Sequence, residues 1–261
     1  AVVTDAASRV PAEPPSAAAS DVASAPVAAA PPSAAASGAA FDWPASTRLS
    51  YLLSGNYRGE VSGSAQVEWL REGSHYQVHV DFIVGPSFAP LITQRSSSDG
   101  EITADGLAPR RYDQDVRFLG SDRPRQTVLF DSGGVVLANG EVRPLRPGLQ
   151  DTASQFVQLA YVFGTDPALL RVGGSVDIPL ALPKKVDVWT YDVVEEELLP
   201  TPFGPVVGLH LKPRGEQKAG SLSVEMWMAP QLRYLPVRLR FAQDAATYVD
   251  LIIARPPEIA R

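Results

Sequence analysis

Three histidines are present, His75, His79 and His210. On a β-strand His75 and His79 share a face but stand about 13 Å apart, too far to hold one zinc, whose ligand nitrogens lie about 2.0 Å from the metal. They read as solvent-side polar positions. Asp113 and Asp115 would project from one strand face about 7 Å apart, a separation that some glycosidase carboxylates use. Arg111 and Arg117 flank them on that face, however, and a cation lowers the pKa of a carboxyl where a general acid needs it raised. The four residues read better as an alternating-charge solvent face. Glu195-Glu196-Glu197 is expected to be a solvated run at a strand end, with a calcium site as the alternative. Lys184-Lys185 is too small a basic patch to mark a membrane or RNA surface. Cysteine is absent, which excludes disulfides, thiolate metal sites and a cysteine nucleophile together. The zinc-protease, serine-hydrolase and nucleotide-loop motifs are also missing. The expectation is a protein without catalytic residues, metal or cofactor.

The residues better suited to a site are apolar. The stretch 149–164 reads as a helix, because Phe156, Leu159, Ala160 and Phe163 recur at i, i+3, i+4 and i+7. Asp151 is placed to cap it, since a carboxylate accepts from the open N–H groups of a first turn, and Gly164 is placed to end it. Its far face carries only Gln155, Gln158 and Val162, so it should be covered on several sides. At about 15 residues the helix is too short to span a bilayer.

What surrounds it has a period of two. Leu49, Tyr51 and Leu53, then Ala65, Val67 and Trp69, then Tyr76 to Val84 alternate with polar neighbours and predict half-buried antiparallel strands. Gly73-Ser74 and Asp105-Gly106 read as tight turns. Asp99-Gly100 reads as another, between a strand over 90–97 and Glu101–Thr103. Further strands follow to Phe118, over 127–145, and from Ser175 to Ile253, and no strand–helix alternation suggests a parallel sheet. The fold class is therefore mainly β: a curved antiparallel half-barrel or barrel of about a dozen strands with one core helix. A helix of roughly 22 Å crosses only four or five strands spaced at about 4.8 Å, so part of the concave face lacks a cover. Either opposite walls pack on each other, or an apolar pocket remains. Phe156, Leu159 and Phe163 would form its floor, and Trp69, Trp189 and Trp227 its walls. Phe203 lies between two prolines in Thr201-Pro-Phe-Gly-Pro205, where it would either cap the barrel end or dock a partner.

Residues 1–40 contain 17 Ala, 6 Pro and 6 Ser and no aromatic residue, a composition expected to stay disordered. One β-rich domain is expected over 41–255, followed by a short tail over 256–261. The net charge of −6 gives no basis for gripping nucleic acid. The first residue is Ala1, from which a removed upstream segment, a secretion signal or a membrane anchor, is expected.

Four segments in order, Gly106-Leu-Ala-Pro-Arg-Arg-Tyr112, Gln150-Asp-Thr-Ala-Ser154, Thr201-Pro-Phe-Gly204 with Lys212-Pro213, and Trp227-Met-Ala-Pro230 with Leu235-Pro-Val237, resemble an exported bacterial family, domain of unknown function number three-one-zero-eight. The likeness covers about residues 48–254. It supplies no catalytic residues. It implies a half-barrel similar to the LolA and LolB periplasmic lipoprotein carriers, which hold acyl chains on the concave face, although those carriers use more helices. It also implies a Gram-negative periplasmic location, with 1–40 as a spacer from a membrane tether. The function expected is noncatalytic binding or carriage of an apolar ligand or an envelope component by a monomer. The alternative is an envelope protein-interaction domain with a filled core, and an enzyme comes third.

Overall fold

The computed structural model describes residues 41–86, 88–215 and 222–259. The segment read as a linker, 1–40, lies outside the described residues.

Five long strands, β1 (Thr47–Asn56), β2 (Glu60–Glu72), β3 (His75–Val84), β4 (Ile92–Thr103) and β5 (Gly106–Phe118), form an antiparallel meander. Four short strands follow: β6 (Ser121–Asp122), β7 (Gln126–Asp131), β8 (Gly134–Val136) and β9 (Val142–Arg143). The helix α1 (Gln155–Thr165) and a 3-10 turn (Pro167–Leu169) then lead into a second meander. Its strands are β10 (Ser175–Leu182), β11 (Lys185–Thr201), β12 (Gly204–Pro213), β13 (Ser223–Ala229), β14 (Leu235–Ala242), β15 (Tyr248–Ile253) and β16 (Glu258–Ile259). The two meanders fuse through β15 and β1, which pair from Tyr51 with Ile253 to Asn56 with Tyr248. The result is one 16-stranded sheet in which every ladder is antiparallel. Of the residues read as a C-terminal tail, Glu258 and Ile259 pair with Arg48 and Thr47.

β9 and β10 are the sheet's two ends, and the chain between them covers β10. Ala138 N donates to Pro183 O, Gln150 N to Pro179 O, and Ala181 N to Gln150 O, at 2.8–2.9 Å. These bonds satisfy backbone groups that an edge strand would otherwise leave open to a second chain.

Three local readings need correction. The helix starts at Gln155 and not near 149, because residues 151–154 form a turn whose N–H groups bond to side chains. Gly164 does not end it; the helix runs to Thr165, and Phe41 occupies the space that a Cβ at Gly164 would take. Asp99-Gly100 is no hairpin. β4 continues through it, opposite a bulge at Arg110 of β5, and Gly100 lies so close to Pro109 and the Tyr76 ring that a Cβ would come within 2.9 Å of both.

The helix is fixed inside the wall by polar groups at its start. Asp151 is fully buried. One carboxylate oxygen accepts from the N–H groups of Ala153 and Ser154 at 2.8 Å, and the other from Ser98 Oγ on β4 at 2.6 Å. Ser154 Oγ returns a bond by accepting from Asp151 N at 3.0 Å, so the turn is closed from both sides. Tyr76 OH lies 3.1 Å from Ser98 Oγ, and Thr152 Oγ1 donates to Tyr112 OH. One turn on, Gln158 Oε1 accepts from Leu107 N at 2.7 Å, and Gln150 Nε2 donates to Leu107 O at 2.9 Å. Gly106 is required there twice: its φ is +103°, and any Cβ would collide with the Gln158 amide. The apolar residues on α1 then meet the sheet, with Leu159 and Phe163 fully buried among strands of both meanders.

Burial outweighs the hydrogen bonds that favour the charged form and pushes the Asp151 carboxyl up to about 6 from an ordinary 3.8. The folded state therefore holds this proton more tightly than the unfolded chain does. The associated stability is present below about pH 4 and is lost as pH rises through about 6, a loss on the order of 3 kcal/mol. Asp151→Asn keeps the acceptor oxygen and cannot ionise. Urea unfolding of the two proteins should show the variant gaining about that amount on the native protein between pH 4 and 7; parallel curves would contradict the assignment.

Candidate ligand-binding site

The described domain begins with aromatic residues that have a built receptor. Trp43 stacks against Tyr161 of α1 at 5.0 Å and against Trp69 of β2 at 5.7 Å, and Trp69 in turn stacks on Tyr76 at 5.6 Å. Phe41 meets Trp43 and Tyr161 edge-on, over Gly164. Polar bonds hold the backbone of this strap: Trp69 Nε1 donates to Pro44 O and Arg71 Nη1 to Trp43 O, both at 3.1 Å. Aromatic stacks of this kind add to what area burial alone contributes.

The strap is one side of a cavity of about 640 Å³. The others are Leu49 of β1, Val67 and Trp69 of β2, Val157 and Ala160 of α1, and the connection from Pro230 to Leu235. Asp42 and Arg233 are its charged lining residues, both exposed, with Arg233 Nη1 3.9 Å from Asp42 Oδ2. Arg233 and Tyr234 both adopt left-handed backbone, at φ of 56° and 59°. Two non-glycine residues in that region mark stored strain, tolerated here where the chain reverses between β13 and β14. The volume falls in the range of pockets for small apolar ligands, and the chemistry is apolar contact with no convergent acid or base.

A second hollow of about 600 Å³ opens over Ser50, Leu52, Ser64, Gln66, Asp81 and Arg95. Its lining is mixed, and Arg95 pairs with Asp81 across it at 3.6 Å.

Of the residues singled out in the sequence, Trp69 lines the cavity. Leu159 and Phe163 are sealed in the core, and Phe156 is half-buried against the same cluster. Trp189 is half-buried on β11, 6.2 Å from the Tyr191 ring. Trp227 is buried on the far side of its sheet region, stacked on His210 at 3.9 Å. Phe203 sits at the tip of the two-residue hairpin joining β11 to β12, 36% exposed. Phe41, Trp43, Leu232 and Leu235 were not singled out for the cavity. The usable signal was the cluster of aromatic residues at the start of the β-rich domain.

The charged candidates are also placed. Asp113 is buried beneath Arg111 and Arg125, at 2.6 and 3.3 Å. Burial alone would raise its pKa, but hydrogen bonds from Arg111 and Thr127 and the nearby Arg125 charge outweigh that and hold it down at about 2. Such a carboxyl stays ionised and does not supply a proton near neutrality. Arg117 pairs with Asp122 and not with the Asp113 group. Glu195–Glu197 lie within β11 and not at a strand end, as that strand runs on to Thr201. Among the described residues no helix is long and apolar enough to cross a membrane.

Comparison with known proteins agrees with the likeness carried by the four segments. The family described as "Protein of unknown function (DUF3108)" matches residues 50–248, and the chain belongs to that family. No curated protein matches significantly. Among solved structures the fold is similar to the beta-barrel-like protein of domain of unknown function DUF1849 from Brucella abortus. That pair superposes with a TM-score of 0.58 at 11% identity, covering 84% of this chain and 99% of that one.

Removing the strap's central ring tests whether it is integral to the site. Trp43→Ala leaves Tyr161 without its stacked ring and Trp69 with Tyr76 as its one stacking partner. It should cost about 2 kcal/mol in urea unfolding and shift the remaining tryptophan emission to the red. Unchanged emission and stability would mean that the strap does not dock in solution.

Proposed function

We propose that this DUF3108 protein is a noncatalytic binding or carrier domain of the Gram-negative periplasm, and that its ligand is an apolar chain or ring held at the barrel end. The observation that carries this reading is the lining of the cavity, where Trp43, Trp69, Leu49, Val67, Leu232 and Leu235 surround about 640 Å³. A concave apolar site gains roughly 25 cal/mol for each Å² of apolar surface it takes from water, so a hydrocarbon ligand needs few polar contacts to bind. The rim pair of Asp42 and Arg233 can orient a polar head without entering the apolar space. The periplasmic location rests on the family likeness and the Ala/Pro-rich composition of residues 1–40.

Docking of an envelope protein is the second reading, favoured by Phe203, which the turn at Pro202 and Gly204 holds partly exposed at a hairpin tip. In that case Phe203→Asp abolishes the biological effect and leaves lipid binding intact.

Titration of the full chain with a fluorescent long-chain fatty acid separates the two. Saturable binding is expected, weakened at least roughly tenfold by Ala160→Phe, which fills the cavity, and by Leu232→Asp, which places a charge in its wall. Native mass spectrometry of the chain extracted from a Gram-negative envelope should recover a bound lipid. Repeated recovery empty, or binding indifferent to both substitutions, would sink the carrier reading.

A further inference from the structure

The apolar lining of the cavity does not account for one of its residues. The connection from Pro230 to Leu235 carries the chain from β13 into β14, and Leu232, Tyr234 and Leu235 within it pack against the core cluster. Arg233 comes between two of them in sequence, lines the same cavity, and keeps its side chain 58% exposed. It is the one basic residue of the lining, and Asp42 of the strap is the one acid.

Backbone bonds fix this placement from both sides. Arg233 N donates to Pro230 O at 3.2 Å and Tyr234 N to Ala229 O at 2.9 Å, while Gln231 Nε2 donates to Val207 O of β12 at 3.0 Å. Arg233 and Tyr234 are both left-handed, a region where a Cβ crowds the following carbonyl and which glycine enters freely. Turn geometry alone would favour glycine at 233, so what that position supplies is the arginine side chain. Its donors are also unspent. Arg111, Arg238 and Arg240 each hold a carboxylate at 2.6–3.0 Å. Among the described residues Arg233 has no such bond: it pairs with Asp42 Oδ2 at 3.9 Å, beyond hydrogen-bond distance, and the Asp42 side chain is 90% exposed. A guanidinium does not deprotonate in a protein, so a permanent cation with free N–H groups stands at the rim of an apolar space.

We propose that Arg233 selects the ligand of this cavity by its head: the ligand is an amphiphile whose hydrocarbon chain lies among Leu49, Val67, Trp43 and Trp69 and whose anionic carboxylate or phosphate is held by the guanidinium. The proposal rests on the reading of the cavity as an apolar ligand site. The planar fork of a guanidinium meets either oxyanion with two parallel N–H···O bonds. A hydroxyl head brings no charge to the same place, and an ammonium head brings no acceptor. Asp42 is the competitor for Arg233, and a long, solvated ion pair of this kind is given up at little cost.

Calorimetric titration of the full chain at neutral pH with dodecanoate, dodecyl phosphate and dodecanol, each below the concentration at which it self-associates, tests the head. The three share one chain, so their differences report the head alone. At least one of the two anions should bind roughly five- to tenfold more tightly than the alcohol, and added salt should reduce that preference. Whichever anion leads identifies the head as carboxylate or phosphate. Arg233→Gln should remove the preference without changing the affinity for dodecanol, whereas Asp42→Asn, which removes the competing carboxylate, should widen it. Arg233→Gly serves as a second variant: glycine takes up the left-handed backbone without strain, so this protein should unfold at no lower urea concentration than the native one and still lose the preference. Equal affinity for the anions and the alcohol, or a preference that survives both Arg233→Gln and Arg233→Gly, overturns the proposal and leaves apolar binding standing. Binding of none of the three overturns it together with the carrier reading.

Discussion

A single buried carboxylate holds the helix to the wall. Asp151 sits where the chain leaves the first meander and before it enters the second, and it joins the backbone of the helix start to Ser98 in the middle of β4. A carboxylate removed from water is costly unless its lone pairs are occupied. Here three donors occupy them, and the residual cost appears as a carboxyl that titrates well above its ordinary range. The neighbouring Gln150 and Gln158 extend the same logic by taking both backbone groups of Leu107. Buried polar groups of this kind permit few alternative placements, since a shift of one turn would leave several of them unpaired.

Anchoring the helix at its start decides what happens at its other end. Leu159 and Phe163 fill the middle of the barrel, while Val157, Ala160 and Gly164 face a space that the short helix leaves open. Small residues at 160 and 164 keep that space from closing. Phe41 and Trp43 enter it from one side, using the absent side chain of Gly164, and the β13 to β14 connection bounds it from another. The cavity is therefore a consequence of helix length and residue size, and does not require a special binding motif.

Much of the sheet was legible because half-buried strands alternate, and α1 was legible because its apolar residues repeat at helical spacing. The antiparallel class and the core helix could be read that way. Bulges were not legible. A bulge adds one residue without a mark in composition, so Asp99-Gly100 resembles a turn although β4 runs through it opposite the extra residue Arg110 of β5. Trp227 shares the His210 side by plain alternation with Glu225, a pattern that does not say which face is the core. Pairing between β1 and β15 was equally hidden, since it joins residues about 200 positions apart and no local pattern encodes such a register. The cavity walls come partly from connections, Phe41 to Pro44 and Pro230 to Leu235, where periodicity offers nothing to read. Trp69 was found because it lies on a strand with a clear alternation.

The claim that a polar clamp ties α1 to the barrel is most directly tested by native-state hydrogen exchange at single amides. Leu107 N–H, held by the Gln158 side chain, and the Ala153 and Ser154 N–H groups, held by Asp151, should exchange only through opening of the whole domain, with protection equal to that of the central β1 amides. Exchange of these three amides at the rate of exposed turn residues such as Gly133 would contradict the clamp, and with it the reason given for the cavity's position.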